Sequence, residues 1–119
     1  VDLEPQRIAS GQKGLGAIHI SGQKLYWSVE DGMMTASIGG TNLRRLASFK
    51  HPVLHFIADG VTVFAVLAVS KKDNQLVKIK DDKIIVLQGE LGHIGGLALT
   101  KKHLYWSSEN DSVILMRSR

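Results

Sequence analysis

The chain has no cysteine, which excludes both a disulfide framework and a thiolate metal site and leaves no clue to redox compartment. No apolar run approaches the roughly 18 residues that a membrane-spanning helix requires. The longest, Val61–Val69, is short and rich in β-branched residues and reads as a buried strand. Helical periodicity is hard to find. Catalytic signatures are missing too: there is no G-x-S-x-G elbow, no H-E-x-x-H and no G-x-x-x-x-G-K-S/T phosphate loop. Gly11, Gly14 and Gly16 of GQKGLG lack dinucleotide-binding spacing, because His19 stands where a third glycine is needed. They read as turn glycines. The carboxylate pairs Glu30/Asp31 and Asp81/Asp82 read as solvated turn residues. No histidine pair has i,i+2 strand spacing with a carboxylate nearby, so neither a metal nor any cofactor is expected.

Charge of one sign is not concentrated either. The 15 basic and 11 acidic residues leave a net +4, and the bases scatter as Arg44/Arg45, Lys71/Lys72, Lys78/Lys80/Lys83, Lys101/Lys102 and Arg117/Arg119. Nearly all fall at turns or alternate along strands, the pattern of a solvated sheet surface rather than of a nucleic-acid site. No nucleic-acid partner and no direct membrane insertion are expected. The chain opens on Val1 without a signal-peptide pattern and reads as a processed or excised segment.

Large aromatics are few, and their placement is informative. One tetrapeptide, LYWS, occurs at Leu25–Ser28 and Leu104–Ser107 and uses both tryptophans and both tyrosines. Aligning the copies also aligns Gly16 with Gly95, Ile18 with Leu97, Ile20 with Leu99 and Glu30 with Glu109. The offset is 79 positions, and half of it is close to the ~40 residues of a four-stranded propeller blade. A degenerate copy belongs midway, and FIADGVTVFAV at Phe56–Val66 fills that slot, with Val63-Phe64-Ala65 in place of Leu-Tyr-Trp. Two further markers keep the spacing. RIAS at Arg7–Ser10 recurs as RLAS at Arg45–Ser48 and as IVLQ at Ile85–Gln88, and KHPVL at Lys50–Leu54 matches GHIGG at Gly92–Gly96.

Within each unit, short apolar or alternating runs are separated by Gly, Asp, Asn and Lys turns. Strands are expected near 15–20, 24–29, 33–38 and 43–48, then 53–58, 61–69, 75–80 and 83–88, then 94–99, 103–108 and 113–118. The expected fold is an all-β propeller of four-stranded antiparallel blades, with about three blades, half of a six-bladed ring. Residues 12–49 form blade one, 50–89 blade two and 90–119 an incomplete blade three. Residues 1–11 are the surplus that closes a blade. Three blades leave two apolar faces in water. The remaining blades come from the same parent protein, which the bare ends favour, or from a second copy.

Tyr26-Trp27-Ser28, the strand after it, the GGTN turn at Gly39–Asn42, RRL at Arg44–Leu46 and His51-Pro52 together resemble the YWTD repeat, the class B repeat of low-density-lipoprotein-receptor-type proteins. GLALTKKHLYWSSENDSVI at Gly96–Ile114 resembles it again. The motif's Thr is Ser at Ser28 and Ser107, and its Asp is replaced by Val29 and Ser108. The resemblance implies a six-bladed propeller in a secreted or cell-surface receptor-like protein, extracellular and bound to a protein ligand. It also implies that the inter-blade polar network of the missing Asp is made differently, with Glu30/Asp31 and Glu109/Asn110 the nearest substitutes.

In a strand, adjacent side chains face opposite ways, so Tyr and Trp of each LYWS enter different layers. Tyr26, Trp27, Phe64, Tyr105 and Trp106 are therefore expected to be structural wedges between blades. The candidate ligand-binding residues are Lys50, His51 and His93 at the starts of blades, with the turn residues Glu30, Asp31, Glu109 and Asn110. Histidine ordinarily titrates near pH 6.5, and the resemblance implies acid-triggered ligand release. A pH-sensitive face at His51 and His93 is thus one reading, and turn histidines bonded to backbone are the plainer one. Asn110-Asp111-Ser112 is a glycosylation sequon in an expected turn. No catalytic residue is assigned and the protein is expected not to be an enzyme. The alternatives are an enzyme acting on a small molecule at a central channel, or a lectin-like homo-oligomer.

Overall fold

The computed structural model describes residues 5–70 and 73–119, and among them the regular elements are all β-strands. Lys71, Lys72 and residues 1–4 of the expected closing strand lie outside the described residues. β1 (Ile18–Ser21), β2 (Lys24–Val29), β3 (Gly32–Ser37) and β4 (Arg44–Ser48) pair antiparallel in sequence order. β5 (Val53–Asp59), β6 (Thr62–Ala68), β7 (Asn74–Lys80) and β8 (Lys83–Leu91) repeat that meander. β9 (Ile94–Leu99), β10 (His103–Ser108) and β11 (Val113–Ser118) form a three-stranded sheet.

The hairpins close where the sequence supplies residues that tolerate a left-handed backbone. Gly22 (φ 61°) and Gly60 (φ 62°) occupy matching turns between the first two strands of their sheets. The β7–β8 turn is made by Asp81 and Asp82, both at positive φ (53° and 60°), the geometry that a two-residue hairpin needs. β1 starts at Ile18, three residues later than the alternation suggests. Gly16 is drawn instead onto β2, its amide bonded to the Ser28 carbonyl at 3.0 Å, which ends the regular ladder.

The sheets stand side by side in sequence order, meeting through their first strands, β1 against β5 and β5 against β9. The result is an elongated body of 49 × 29 × 28 Å. Side-chain alternation decides what fills the joints. Tyr26 and Met33 leave the first sheet to pack on Phe56, Val63, Ala65, Val77 and Ile79 of the second. Phe64, Val66 and Leu76 leave the opposite face of the second sheet to pack on Ile94, Leu104 and Trp106 of the third. Each such side chain gains on the order of 1.5–3 kcal/mol on burial. The middle position of each LYW-type triplet, Tyr26 or Phe64, therefore faces the following sheet, and the flanking positions face the preceding one.

That rule accounts for the two outer faces. Leu25 and Trp27 point to the side where no described sheet precedes, and cluster with Val29, Ala36, Met34 and Ala9. Tyr105 points to the side where no described sheet follows and is half-buried. Of the five expected wedges, Tyr26, Phe64 and Trp106 lie between sheets, whereas Trp27 and Tyr105 lie on the two end faces. Trp27 Nε1 donates to Gln12 Oε1 at 3.2 Å. Trp106 Nε1 is buried with no acceptor among the described residues.

Candidate functional site

The end of each sheet where its first strand begins is built the same way three times. The backbone amide of Glu30 donates to the Lys13 carbonyl, that of Ala68 to Pro52 and that of Glu109 to His93, each at 2.9 Å. These bonds place the start of every inner strand beside the end of its second strand. Glu30, Asp31, Lys50, His51, His93, Glu109 and Asn110 consequently share one end of the assembly. The Phe49 amide donates to the Asp31 carbonyl at 2.9 Å, which brings the neighbouring Lys50 to the same end. The register also corrects one detail. His93 stands where Pro52 stands, so His51 precedes the equivalent position by one residue. His51 is half-buried and His93 exposed.

A glycine–serine contact holds this end together. A Cβ on Gly16 would collide with Ser28 Oγ, and a Cβ on Gly95 would lie 2.7 Å from Ser107 Oγ and 3.0 Å from Glu109 Oε1. The LYWS serines and the aligned glycines are thus one device, in which the hydroxyl fills the space a side chain would take. Gly16→Ala should cost about 1–3 kcal/mol of stability through overpacking. Gly16→Ala/Ser28→Ala should recover most of it. Chemical denaturation of the four chains of this double-mutant cycle checks the prediction, and purely additive effects would contradict it.

Among the described residues the acidic side chains at this end do not tie sheets together, contrary to the expectation that they substitute for the missing motif Asp. Glu30 pairs with Lys13 at 3.6 Å and Asp31 with Arg45 at 3.1 Å, both within the first repeat and both exposed, so each contributes at most ~1 kcal/mol. The inter-sheet polar ties lie at the opposite end, where the hairpin turns approach the next sheet. Tyr26 Oη donates to the Gly60 carbonyl at 2.6 Å and the Gly60 amide donates to Ser21 Oγ at 2.7 Å. Arg44 pairs with Asp82 at 3.0 Å. At the next joint Phe64 has no hydroxyl, and Arg119 takes over. Its guanidinium lies 5.3 Å from the Phe64 ring centre, bonds Asp59 at 2.7 Å and donates to the Thr100 carbonyl at 2.8 Å. Sequence reading missed this network because single Ser, Gly and Arg residues carry no periodic signal.

Burial pushes the Tyr26 hydroxyl above its ordinary value of 10.0, with Arg44 offsetting part of the shift. The unfolded chain then loses this proton first as pH rises, so folding stability should fall once pH passes about 10. Tyr26→Phe should flatten that fall when unfolding is followed between about pH 9 and pH 11. An unchanged slope would refute the assignment to this hydroxyl.

The innermost strands β1, β5 and β9 carry His19, His55 and Asp59 as their only titratable residues. His19 stacks edge-on against Phe56 at 4.8 Å. Among the described residues no group of three or more His, Asp or Glu could hold a metal ion. Asn110 of the sequon is exposed in the β10–β11 turn.

No protein-family model matches the chain, and no curated protein matches it. Among solved structures, a chain of a nidogen/laminin complex superposes with a TM-score of 0.72 at 19% identity, over 88% of this chain and 44% of that one. The N-terminal domain of Nup159 superposes with a TM-score of 0.61 at 12% identity, over 88% of this chain and 27% of that one. A chain of an S. cerevisiae complex of dbp5 bound to nup159 and gle1 superposes with a TM-score of 0.62 at 13% identity, with the same coverages. These neighbours are propellers. The fold is a β-propeller. Its three sheets are blades, and the chain spans less than half the length of the propeller chains it matches.

Proposed function

We propose that this propeller segment is a non-enzymatic module that binds a protein ligand through the end carrying Glu30, Asp31, Lys50, His51, His93, Glu109 and Asn110. The observation that carries the reading is the thrice-repeated backbone bond at that end, which holds both charge signs on one rigid rim of strand starts and turns. The innermost strands, poor in titratable residues, supply little chemistry for turnover at a central channel. The two LYWS copies support a six-bladed propeller of the YWTD type, and with it a secreted or cell-surface setting. The likeness to a chain solved in a nidogen/laminin complex supports a partner that is itself a protein.

The test is a binding screen of the immobilised chain against purified secreted and ectodomain proteins. Lys50→Glu/His93→Asp/Glu109→Lys should weaken any partner found by at least about tenfold, roughly 1.4 kcal/mol. Asp82→Lys/Lys101→Glu at the far end should leave it unchanged. Equal losses from both sets, or turnover of a small molecule with no protein partner, would replace this reading with a channel enzyme. A His51→Ala/His93→Ala chain compared with the parent at about pH 7.4 and about pH 5.5 tests acid release. Identical pH dependence in the two would end the reading of His51 and His93 as a pH-sensitive face.

A further inference from the structure

The joint between blades one and two is enclosed by two four-stranded sheets. At the end opposite the rim it holds a cavity of about 230 Å³. Blade one supplies one wall from a single face. Tyr26, Thr35 and Arg44 stand opposite one another on β2, β3 and β4, and Lys24 precedes Tyr26 by two positions, so all four face blade two. Lys80, Asp81 and Asp82 of the β7–β8 hairpin and Val61 of the β5–β6 hairpin close the cavity from the other side.

What this cavity asks of a ligand follows from the donors and acceptors already committed. Tyr26 and Thr35 are buried, at 1% and 2% exposure. Each hydroxyl has a single proton, and both are spent: Tyr26 Oη donates to the Gly60 carbonyl at 2.6 Å and Thr35 Oγ1 to the Leu25 carbonyl at 2.9 Å. Their oxygens can then only accept. The mouth of the cavity is the reverse. Arg44 spends one N–H on Asp82 at 3.0 Å and keeps the rest of its fork. Among the described residues no carboxylate pairs with Lys24 or Lys80. Lys24, Arg44 and Lys80 against Asp81 and Asp82 leave one positive charge in excess, and Leu46 and Val61 add an apolar side. A fitting ligand therefore brings neutral hydroxyl donors to the buried oxygens, one negative charge to the cations and C–H surface to Leu46 and Val61. An ammonium donor would meet repulsion from all three cations.

We propose that this cavity binds a sugar unit carrying one singly charged group, a sulfate ester or a carboxylate. The ring supplies hydroxyl donors and a C–H face, and the charged group meets Lys24, Arg44 and Lys80. A phosphate ester, at about −1.5 to −2, overshoots the single excess charge and is repelled by Asp81. The next joint lacks the set. There the register puts Thr62, Phe64, Lys78 and Ile85 where Lys24, Tyr26, Thr35 and Arg44 stand, leaving one cation and no phenolic oxygen. This inference concerns the end away from the rim and does not depend on what the rim binds.

The 119-residue chain can be titrated, with its backbone amides followed by NMR, against glucose 6-sulfate, glucuronate, glucose 6-phosphate, glucose and inorganic sulfate. Glucose 6-sulfate or glucuronate should give saturable shifts at Lys24, Tyr26, Thr35, Arg44 and Asp82, and the tighter of the two identifies the charged group. Glucose, which lacks the charge, and inorganic sulfate, which lacks the ring hydroxyls, should each bind at least about tenfold more weakly. Lys24→Gln/Lys80→Gln should weaken the sugar by about tenfold or more without altering the rest of the spectrum. Lys101→Gln/Lys102→Gln, in a turn at the same end, should leave binding unchanged. Four results would overturn the proposal: inorganic sulfate binding as tightly as the charged sugar, glucose 6-phosphate binding more tightly, equal losses from the two lysine pairs, or no saturation by either sugar at about 50 mM.

Discussion

A Phe64→Ala chain should lose about 3–5 kcal/mol of unfolding free energy, the cost of deleting a fully buried aromatic that cannot be replaced by local collapse. Phe64 is wholly inaccessible and sits with Val66, Leu76, Leu91, Ile94, Leu104 and Trp106 in the joint between blades two and three. Two cations lie over its ring, Lys78 Nζ at 5.9 Å and Arg119 at 5.3 Å. Removing the ring empties the centre of the joint and leaves Arg119 with its Asp59 and carbonyl partners but no surface to lie on. Small domains are stable by only about 5–15 kcal/mol, so blade three should detach first. Urea denaturation followed by tryptophan emission measures this, because Trp106 lies in the same cluster. A loss under about 1 kcal/mol would mean that the joint is not where this stability resides.

Gly32→Ala should cost about 3 kcal/mol, at the upper end for overpacking. A Cβ at this position would fall on the Ala47 carbonyl oxygen, and Arg45 Nη1 crowds it from the other side. The carbonyl belongs to β4, paired with β3 through Gly32–Ser48 and Met33–Ala47. Backbone in a ladder cannot swing aside as a side chain can, so the pairing itself must open. The contrast with Gly16 is a test of cause. There the obstructing atom is a serine hydroxyl and a second substitution relieves it, whereas no side-chain change at Ala47 should rescue Gly32→Ala. Rescue by Arg45→Ala alone would show that the arginine, not the carbonyl, sets the cost.

Much of the fold was legible because a repeat leaves a phase as well as a period. The LYWS copies predicted that adjacent Tyr and Trp enter opposite layers, and the clusters of Tyr26 and Trp27 are indeed on opposite sides of one sheet. Even the degenerate triplet kept phase, with Phe64 facing forward as Tyr26 does and Ala65 backward as Trp27 does. The strand positions followed from alternation and turn residues to within a few positions. The candidate rim was legible only as far as topology carries it: antiparallel strands put the starts of first strands beside the ends of second ones. The polar joints were not legible. Tyr26 to Gly60, Gly60 to Ser21 and Arg119 to Asp59 join residues 34, 39 and 60 apart in the chain, and nothing local marks them. The one-residue offset between His51 and His93 also escaped, because matching histidine to histidine is weaker information than the backbone bond that sets Pro52 opposite Ala68.

Blade two is the one flanked on both sides by described blades, and its second strand runs through Val63, Phe64, Ala65 and Val66 without any exposure. Amide hydrogen exchange should therefore be slowest in β6 and β7, with protection declining outward from them in both directions. Heat or denaturant should accordingly peel the molecule from its ends, the middle blade surrendering its deuterium record last.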